Sequence, residues 1–216
     1  GDPWPPFEES TLAPLHGHRD SIPPEERCAF LALPFVGHGQ ATGEIIGVGI
    51  ALGKGVERAL RRALLQLVGL DRDEERPRLD RLHVPELGLT LPLVSPDGRW
   101  TLEAERWCRP ARRWASSLPV VLDRWPRRGR GWEEIARQGV VLAGYPEPCA
   151  LELRRGAAVA GVPELRPVDR KRRPAEPNRP WSHLVLEFPS PLRGPLLLGH
   201  MRFLGLGLCV PEGRDG

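Results

Sequence analysis

The chain has 216 residues, of which 40% are hydrophobic, and its 25 prolines and 24 glycines favour short elements and many turns over a helical bundle. No stretch reaches the roughly 20 uncharged apolar residues that span a bilayer, so we expect no membrane insertion. The net charge of +3 conceals an asymmetry, because residues 1–109 hold 13 Lys and Arg against 17 Asp and Glu, whereas residues 110–216 hold 18 against 11. Binding of a polyanion is therefore expected in the second half.

Four cysteines lie far apart without a CxxC pair, each in or near an apolar stretch. Buried thiols are therefore expected rather than disulfides or a zinc site, which fits a reducing cytoplasm. The chain begins without a basic, apolar leader, and its single methionine is Met201. From this we expect a cytoplasmic protein that is a processed product or a piece of a longer polypeptide.

The first half predicts four strands and one helix. Residues 1–26 are proline-rich and polar and predict an extended arm. Apolar residues recur at helical spacing from about residue 55 to 69 and predict an amphipathic helix. The predicted strands are Cys28–Val36, Ile45–Leu52, Leu87–Val94 and Arg99–Glu105.

The second half repeats this inventory. A helix is predicted over Gly131–Ala143, and Leu196–Gly199 has room for at most one helical turn. Residues 163–180 form a basic insertion without a predicted element. The predicted strands are Leu118–Leu122, Ala150–Arg154, Ser182–Phe188 and Leu204–Val210.

The order of the second-half elements is that of the split βαββαβ unit of ferredoxin-like domains. The first half gives a looser version, with an extra strand before its helix. We therefore predict an α+β protein of two tandem ferredoxin-like units, residues 27–110 and residues 111–216. The second unit ends in a glycine-rich loop over residues 194–208.

The glycine-rich loop is the first candidate binding element. Its glycines let the backbone approach a ligand closely, exposed N–H groups can hold phosphates, and an arginine adds a fixed charge. The spacing matches neither GxGxxG opening a long helix nor GxxxxGK[ST], which argues against nucleotide-binding folds. Tight packing of a glycine-rich edge strand is the alternative. The candidate nucleic-acid contacts in the loop are Gly199, His200, Arg202, Gly205 and Gly207.

Two basic clusters lie in the second half, one interleaved with Trp125 and Trp132 and the other followed by Trp181. Guanidinium groups neutralise phosphates, and indoles offer stacking surfaces for unpaired bases. Solvated loops are the alternative, and a GC-rich genome would also produce the excess of 29 arginines over two lysines. The clusters consist of Arg124, Arg127, Arg128 and Arg130, and of Arg170, Lys171, Arg172 and Arg173.

Histidines are the candidates for proton transfer. RNA cleaves itself when its 2′-hydroxyl is deprotonated in line with the adjacent phosphate, and an imidazole can serve as base or acid without a metal. His18 and His38 lie in glycine-flanked loops, whereas His183 begins a predicted strand, where a structural or RNA-contacting role competes with catalysis. His83 lies in a charged linker and is expected to be inert. No GxSxG, HExxH or metal-ligand spacing is found, so we expect no metal and no cofactor.

Several segments, in order along residues 15–211, resemble the type I-G (formerly I-U) CRISPR protein in which a Cas backbone subunit is fused to a repeat-processing endoribonuclease. The similarity is carried by Gly17-His18, residues 32–38 (ALPFVGH), 43–48 (GEIIGV), 121–126 (VLDRWP), His183, 186–188 (LEF) and 193–208.

The resemblance implies two ferredoxin-like units, a glycine-rich loop that contacts repeat RNA, and cleavage that leaves a 2′,3′-cyclic phosphate and a 5′-hydroxyl. It implies a catalytic histidine in a loop of the first unit, which favours His38 and then His18. The implied partners are CRISPR repeat RNA and the other Cas subunits of a type I interference complex. The sequence departs from related ones at Thr42 and at His200, which becomes a further candidate for RNA contact or chemistry.

Two alternatives remain open. A binding module of the same fold would hold the hairpin of the mature crRNA without cutting it, since some members of this fold class have lost their histidine. An unrelated α+β protein would owe its arginines to genome composition alone.

Overall fold

The computed structural model describes residues 23–56, 58–67, 81–84, 88–92, 98–126, 131–162 and 179–213. Over these residues the protein is α+β, with antiparallel sheets and few helices. It divides into two compact units, one of the chain up to Ala29 with Leu52–Asp97 and the other of Phe30–Ala51 with Gly98–Gly216. No helix in the described ranges has the length and apolarity to cross a membrane. The division near residue 110 stays a prediction.

The first described elements are two hairpins separated in sequence by a helix. The strands, paired as β1 with β2 and β3 with β4, are β1 (Cys28–Pro34), β2 (Ile45–Leu52), β3 (Arg81–Val84) and β4 (Leu89–Pro92). Helix α1 (Arg58–Leu67) buries Leu60 and Leu64, whereas Arg58 and Arg62 are exposed. These spacings of four residues place each pair on one face of the helix, as the amphipathic pattern predicts.

The second unit contains a six-stranded antiparallel sheet. Its strands are β5 (Ala111–Ser116), β6 (Val120–Val121), β7 (Ala150–Arg154), β8 (Trp181–Leu192), β9 (Leu196–Leu197) and β10 (Leu208–Glu212). The long strand β8 pairs with β7 on one side and with β5 and β6 on the other, because β7 and β5 both pair with residues 185–187. Strand β10 pairs with β5 and with the short β9.

Strands β5 and β6 follow the same side of β8 with a break between them. Trp114 pairs with Leu186, and the register has shifted where Val120 pairs with Ser182. Pro119 lies in the break and has no N–H to donate to a ladder. The backbone N–H and the hydroxyl of Ser117 both donate to the carbonyl of Leu208 at 2.8 Å. Strand β10 therefore provides the hydrogen-bond acceptor that β8 does not provide at the break.

The main core lies between this sheet and helix α3 (Trp132–Leu142). The helix buries Ile135, Ala136 and Val140. This core contains the fully buried ring of Trp114, whose indole N–H donates to the Ala111 carbonyl at 2.9 Å. The sheet contributes to this core alternate residues of β8, which are Leu184, Leu186 and Phe188. The apolar side chains at every second residue of β8 thus pack against the apolar side chains that a period of 3.6 residues places on one face of α3.

The predicted strand Arg99–Glu105 is wrong. This segment forms a 3-10 turn at Trp100–Leu102 and the short helix α2 (Ala104–Cys108). The buried indole N–H of Trp107 donates to the carbonyl of Thr101 at 3.0 Å, which closes the chain into a compact turn. Glu and Ala also favour helix over strand.

Of the other predicted elements, most are confirmed and some are wrong. The strands at 28–36, 45–52, 87–94, 118–122, 150–154 and 182–188 and both long helices are confirmed, with ends that differ by a few residues at most positions. The predicted helical turn at Leu196–Gly199 is wrong, because Leu196 and Leu197 pair with β10. The last strand begins at Leu208 rather than Leu204, after a 3-10 turn at Arg202–Leu204. Strands β3 and β5 were not predicted.

Candidate nucleic-acid interface

The glycine-rich loop (residues 194–208) contains the short strand β9 and then a 3-10 turn, and it ends where β10 begins. Gly199, Gly205 and Gly207 have φ angles of +85°, +91° and +68°. Left-handed backbone costs a residue with a Cβ about 1–2 kcal/mol, so the path of the loop depends on glycine at these three positions.

The same three glycines are buried against other backbone. A Cβ at Gly199 would overlap the Val121 carbonyl oxygen of β6, and a Cβ at Gly205 would lie 2.7 Å from the carbonyl oxygen of Phe30 in β1. A Cβ at Gly207 would overlap the carbonyl oxygen of Leu198 within the loop. The glycines therefore allow close packing, which is the alternative that the sequence left open.

The backbone amides of the loop are largely engaged inside the protein. Those that donate to protein carbonyls belong to Gly194, Leu198, His200, Arg202, Leu204, Leu206 and Gly207. These seven N–H groups are not available to phosphate. Contact with a polyanion at this loop then falls to side chains.

Two side chains of the loop have the chemistry for such contact. The His200 amide donates to the Val121 carbonyl at 2.8 Å, while the residue itself is exposed. Arg202 donates from Nη1 to the Gly199 carbonyl at 3.0 Å, and its guanidinium lies 4.6 Å from the centroid of the Phe203 ring. The loop thus presents an exposed imidazole and a half-buried guanidinium.

A second surface, the indole cluster, consists of Arg124, Trp125 and Trp132. The two indoles are 51% and 43% exposed and meet edge to face with ring centroids 5.6 Å apart. Arg124 donates to the side-chain oxygen of Gln138 at 3.1 Å. Large aromatic faces that remain exposed beside arginine suit the stacking of unpaired bases.

Strand β6 brings the two surfaces near each other. The glycine-rich loop is hydrogen-bonded to β6 at Val121, and Arg124 follows Val121 by three residues. Arg127, Arg128 and Arg130 lie outside the described residues, as does the second basic cluster, Arg170, Lys171, Arg172 and Arg173.

His38 lies in the turn of the β1–β2 hairpin, which we call the His38 loop (residues 35–44). Hydrogen bonds from the Phe35 amide to the Glu44 carbonyl (2.8 Å) and from the Gly43 amide to the Phe35 carbonyl (2.9 Å) close the loop. The imidazole is exposed and stacks on Phe35 with centroids 5.9 Å apart. Its Nδ1 accepts the Gln40 amide at 3.2 Å.

That hydrogen bond assigns the proton of a neutral His38 ring to Nε2, because an Nδ1 that accepts an N–H carries no hydrogen. Transfer of a proton to or from Nε2 then requires the Gln40 bond to open. A rearrangement of this kind is common when a substrate enters an empty site.

His183 lies in the core rather than on a surface, and only 2% of the residue is exposed. Its Nδ1 is 3.1 Å from the Ser116 hydroxyl, which also accepts the Leu184 amide at 3.0 Å. Burial lowers the pKa of His183, and the hydrogen bond with the Ser116 backbone opposes that effect. A neutral, buried and hydrogen-bonded ring favours the structural alternative for this residue.

The other candidate histidine of the sequence, His18, lies outside the described residues, and of His83 the structure describes only the backbone, in β3. Among the described residues no group of three or more His, Cys, Asp or Glu could hold a metal ion.

Arg106, which lies beside the His38 loop, is a candidate that the sequence did not indicate. A Cβ at Gly37, the residue before His38, would overlap the Nη2 atom of Arg106. Arg106 directly follows the segment predicted as a strand, Arg99–Glu105, and no sequence signal connects it with a loop some 70 residues earlier.

Comparison with known protein families gives one match. A family described as "CRISPR-associated protein, GSU0054 family" matches residues 5–211. Comparison with the curated proteins and with the solved structures finds no match.

Proposed function

Because the chain belongs to the GSU0054 family of CRISPR-associated proteins, we propose that it is a type I-G endoribonuclease that cuts CRISPR precursor RNA within the repeat. The observation that carries the proposal is an exposed histidine, His38, in the same compact unit as the glycine-rich loop and the indole cluster. One unit then combines a group for proton transfer with surfaces for RNA.

The topology of the second unit supports a ferredoxin-like assignment. Helix α3 connects β6 to β7, and β8 lies between the broken strand β5–β6 and β7 in the sheet. A strand placed between two strands that a helix connects is the split βαβ arrangement. We extend the proposal to another ferredoxin-like fold over residues 27–110, which supplies the His38 loop and does not follow the division into two compact units.

The reaction needs no water, metal or cofactor. The 2′-oxygen forms a bond to phosphorus while its proton passes to a base, and the P–O5′ bond breaks while the 5′-oxygen takes a proton from an acid. The products are a 2′,3′-cyclic phosphate and a 5′-hydroxyl. His38, through Nε2, is the proposed base or acid, with His18 as the second candidate.

RNA is held by charge and stacking on residues of the second half of the chain. His200 and Arg202 contact the RNA from the glycine-rich loop, and Arg124, Trp125 and Trp132 contact it from the indole cluster. Gly199, Gly205 and Gly207 act by shaping the loop. The two arginine-rich segments, residues 127–130 and 170–173, add phosphate contacts. The product stays bound, and the protein joins the other Cas subunits of a type I interference complex.

The test is cleavage of a labelled RNA that carries the CRISPR repeat of the source genome, in EDTA. We expect cutting at one position in the repeat and a cyclic phosphate on the 5′ fragment. A matched RNA with a 2′-deoxy nucleotide at the cut should stay intact because it lacks the nucleophile. Cleavage of the deoxy RNA, or cleavage that EDTA abolishes, contradicts the proposal.

A non-cleaving subunit that holds the crRNA hairpin is the second candidate. The exposed indoles and His200 favour it, since they bind RNA whether or not His38 transfers a proton. Tight binding that leaves the natural repeat RNA intact supports this candidate. Absence of binding at moderate salt contradicts both.

A further inference from the structure

Arg106 in helix α2 is a half-buried cation with an incomplete set of partners. Its Nε is buried and has no hydrogen-bond partner. The guanidinium lies over the Trp100 ring, 4.7 Å from the centroid, and 6.0 Å from the centroid of Trp107. Among the ion pairs of the described residues, none involves Arg106.

The surroundings of Arg106 favour an anionic ligand. Burial lowers the pKa of Arg106, and the nearby Arg109 lowers it further. A guanidinium nevertheless stays charged in a protein, so its desolvation must be compensated. The two indoles contribute a cation–π contact but accept no hydrogen bond in the plane of the guanidinium. Because Nε is buried, an oxyanion from solvent would bind the terminal Nη groups in that plane.

The guanidinium also has a defined position relative to His38. Nη2 occupies the space where a Cβ would stand on Gly37, and the φ of +75° at this position also favours glycine. The Gly37 amide donates to the Ala160 carbonyl at 2.8 Å, which fixes the backbone at this point. An oxyanion bound by Arg106 would therefore lie beside the backbone that carries His38.

We propose that Arg106 binds the scissile phosphate of the repeat RNA and stabilises the negative charge of the phosphorane next to His38. The inference rests on the proposed function for its substrate. It assigns the cation of the reaction to helix α2, in the compact unit that also carries His38. Gly37 is a positioning residue, because its missing side chain gives the guanidinium its place.

The test compares Arg106→Gln and Arg106→Lys with Arg112→Gln, which removes the same charge from an exposed position of β5. Single-turnover cleavage of the repeat RNA measures chemistry, and the Kd of the 2′-deoxy RNA measures binding. We expect Arg106→Gln to slow cleavage by about 100-fold, as loss of one oxyanion-stabilising donor does. Its Kd should rise by less than about 10-fold, and Arg106→Lys should recover part of the rate because it keeps a point charge. Arg112→Gln should stay within about twofold of wild type in both.

The inference is wrong if Arg106→Gln cleaves at the wild-type rate. It is also wrong if both Arg106 variants show a lower rate, a higher Kd and a lower melting temperature together, since that is the behaviour of a structural residue. If the wild-type protein does not cleave at all, the proposed function fails and the binding data decide the inference alone. Arg106→Gln must then lower the magnitude of the salt slope of RNA binding by about 0.7, the value of one phosphate contact on a single strand, and an unchanged slope overturns it.

Discussion

His38 and His183 show how the environment of an imidazole decides its chemistry. His38 is exposed, stacks on Phe35 and accepts the Gln40 amide, so a ligand that displaces this contact gains access to the ring. His183 lies in the core, with its Nδ1 beside Ser116. Proton transfer requires contact with the substrate, which the position of His38 permits and that of His183 does not.

His38→Ala should therefore slow single-turnover cleavage by about 10²–10⁴-fold, the usual contribution of general acid–base catalysis. The Kd of the 2′-deoxy RNA should change by less than about threefold, because the substitution removes no charge from the RNA-binding surfaces. His200→Ala is the matched control, an exposed histidine expected to weaken binding rather than chemistry. Full activity of His38→Ala would redirect the search to His18 and His200.

His183 makes the stability of the fold depend on pH. At pH above about 6.5 the ring is neutral in the folded and the unfolded chain. Because burial lowers the folded-state pKa, the unfolded chain binds more protons as the pH falls below 6.5, and the free energy of unfolding falls with it. The loss ends once the pH is below the folded-state pKa.

The measurement is the melting temperature of wild type and His183→Leu across this range. Wild type should lose more stability than the variant between about pH 7 and pH 5, since the variant has no ring to protonate. Parallel melting curves at every pH would show that His183 does not titrate differently on folding. His183→Leu should also retain cleavage while it stays folded.

At the scale of elements, the glycine-rich loop is defined by backbone packing. Gly199→Ala combines left-handed strain with overlap of the Val121 carbonyl oxygen, whereas Gly213→Ala has the strain alone, because its φ is +84° and nothing lies within 4 Å of the new Cβ. We expect Gly213→Ala to cost at most about 1–2 kcal/mol of unfolding free energy. Gly199→Ala should cost at least about 2 kcal/mol, with each kcal/mol lowering the melting temperature by about 2–4 °C in a chain of this size.

Thermal unfolding separates this packing role from direct recognition. A Gly199→Ala protein with the melting temperature of wild type but a weakened affinity for RNA would show that the loop backbone contacts the RNA. Because the loop amides donate to protein carbonyls, we expect instead that Gly199→Ala lowers the melting temperature.

The sequence predicted elements well where one local pattern was undisturbed. Ile45–Leu52 and Ala150–Arg154 match the observed strands at both ends, since uninterrupted apolar or alternating residues determine them. The sequence failed to predict elements where the local pattern was interrupted or where a side-chain contact overrides it. Strand β5 carries two exposed arginines amid buried residues, which hides its alternation, and the 99–105 segment turns because Trp107 bonds back to Thr101.

Some residues of the candidate site could be predicted from local sequence, and others could not. His38 was predictable because its glycine-flanked loop is local in sequence, and Trp125 and Trp132 because they lie among arginines. The association of Arg106 with Gly37 was not predictable, since it joins residues far apart in the chain through tertiary packing. The engaged amides of the glycine-rich loop were also hidden, because their acceptors include carbonyls of residues 119 and 121.

At the scale of the whole molecule, the positive balance of residues 110–216 should dominate RNA affinity. The logarithm of the Kd should rise linearly with the logarithm of the salt concentration, because each neutralised phosphate releases counterions. A slope near zero would leave genome composition as the only reason for the arginines.

Two substitutions in the indole cluster separate the contribution of charge to RNA affinity from the contribution of base stacking. Arg124→Gln should lower the magnitude of the salt slope by about 0.7 if it removes one contact with a single-stranded phosphate. Trp125→Ala should weaken binding by about 10-fold at every salt concentration and leave the slope unchanged, because a stacked base is worth about 1–3 kcal/mol and releases no counterion. Equal slopes for wild type and Arg124→Gln would place the RNA backbone elsewhere, and an unchanged Kd for Trp125→Ala would exclude this indole from the interface.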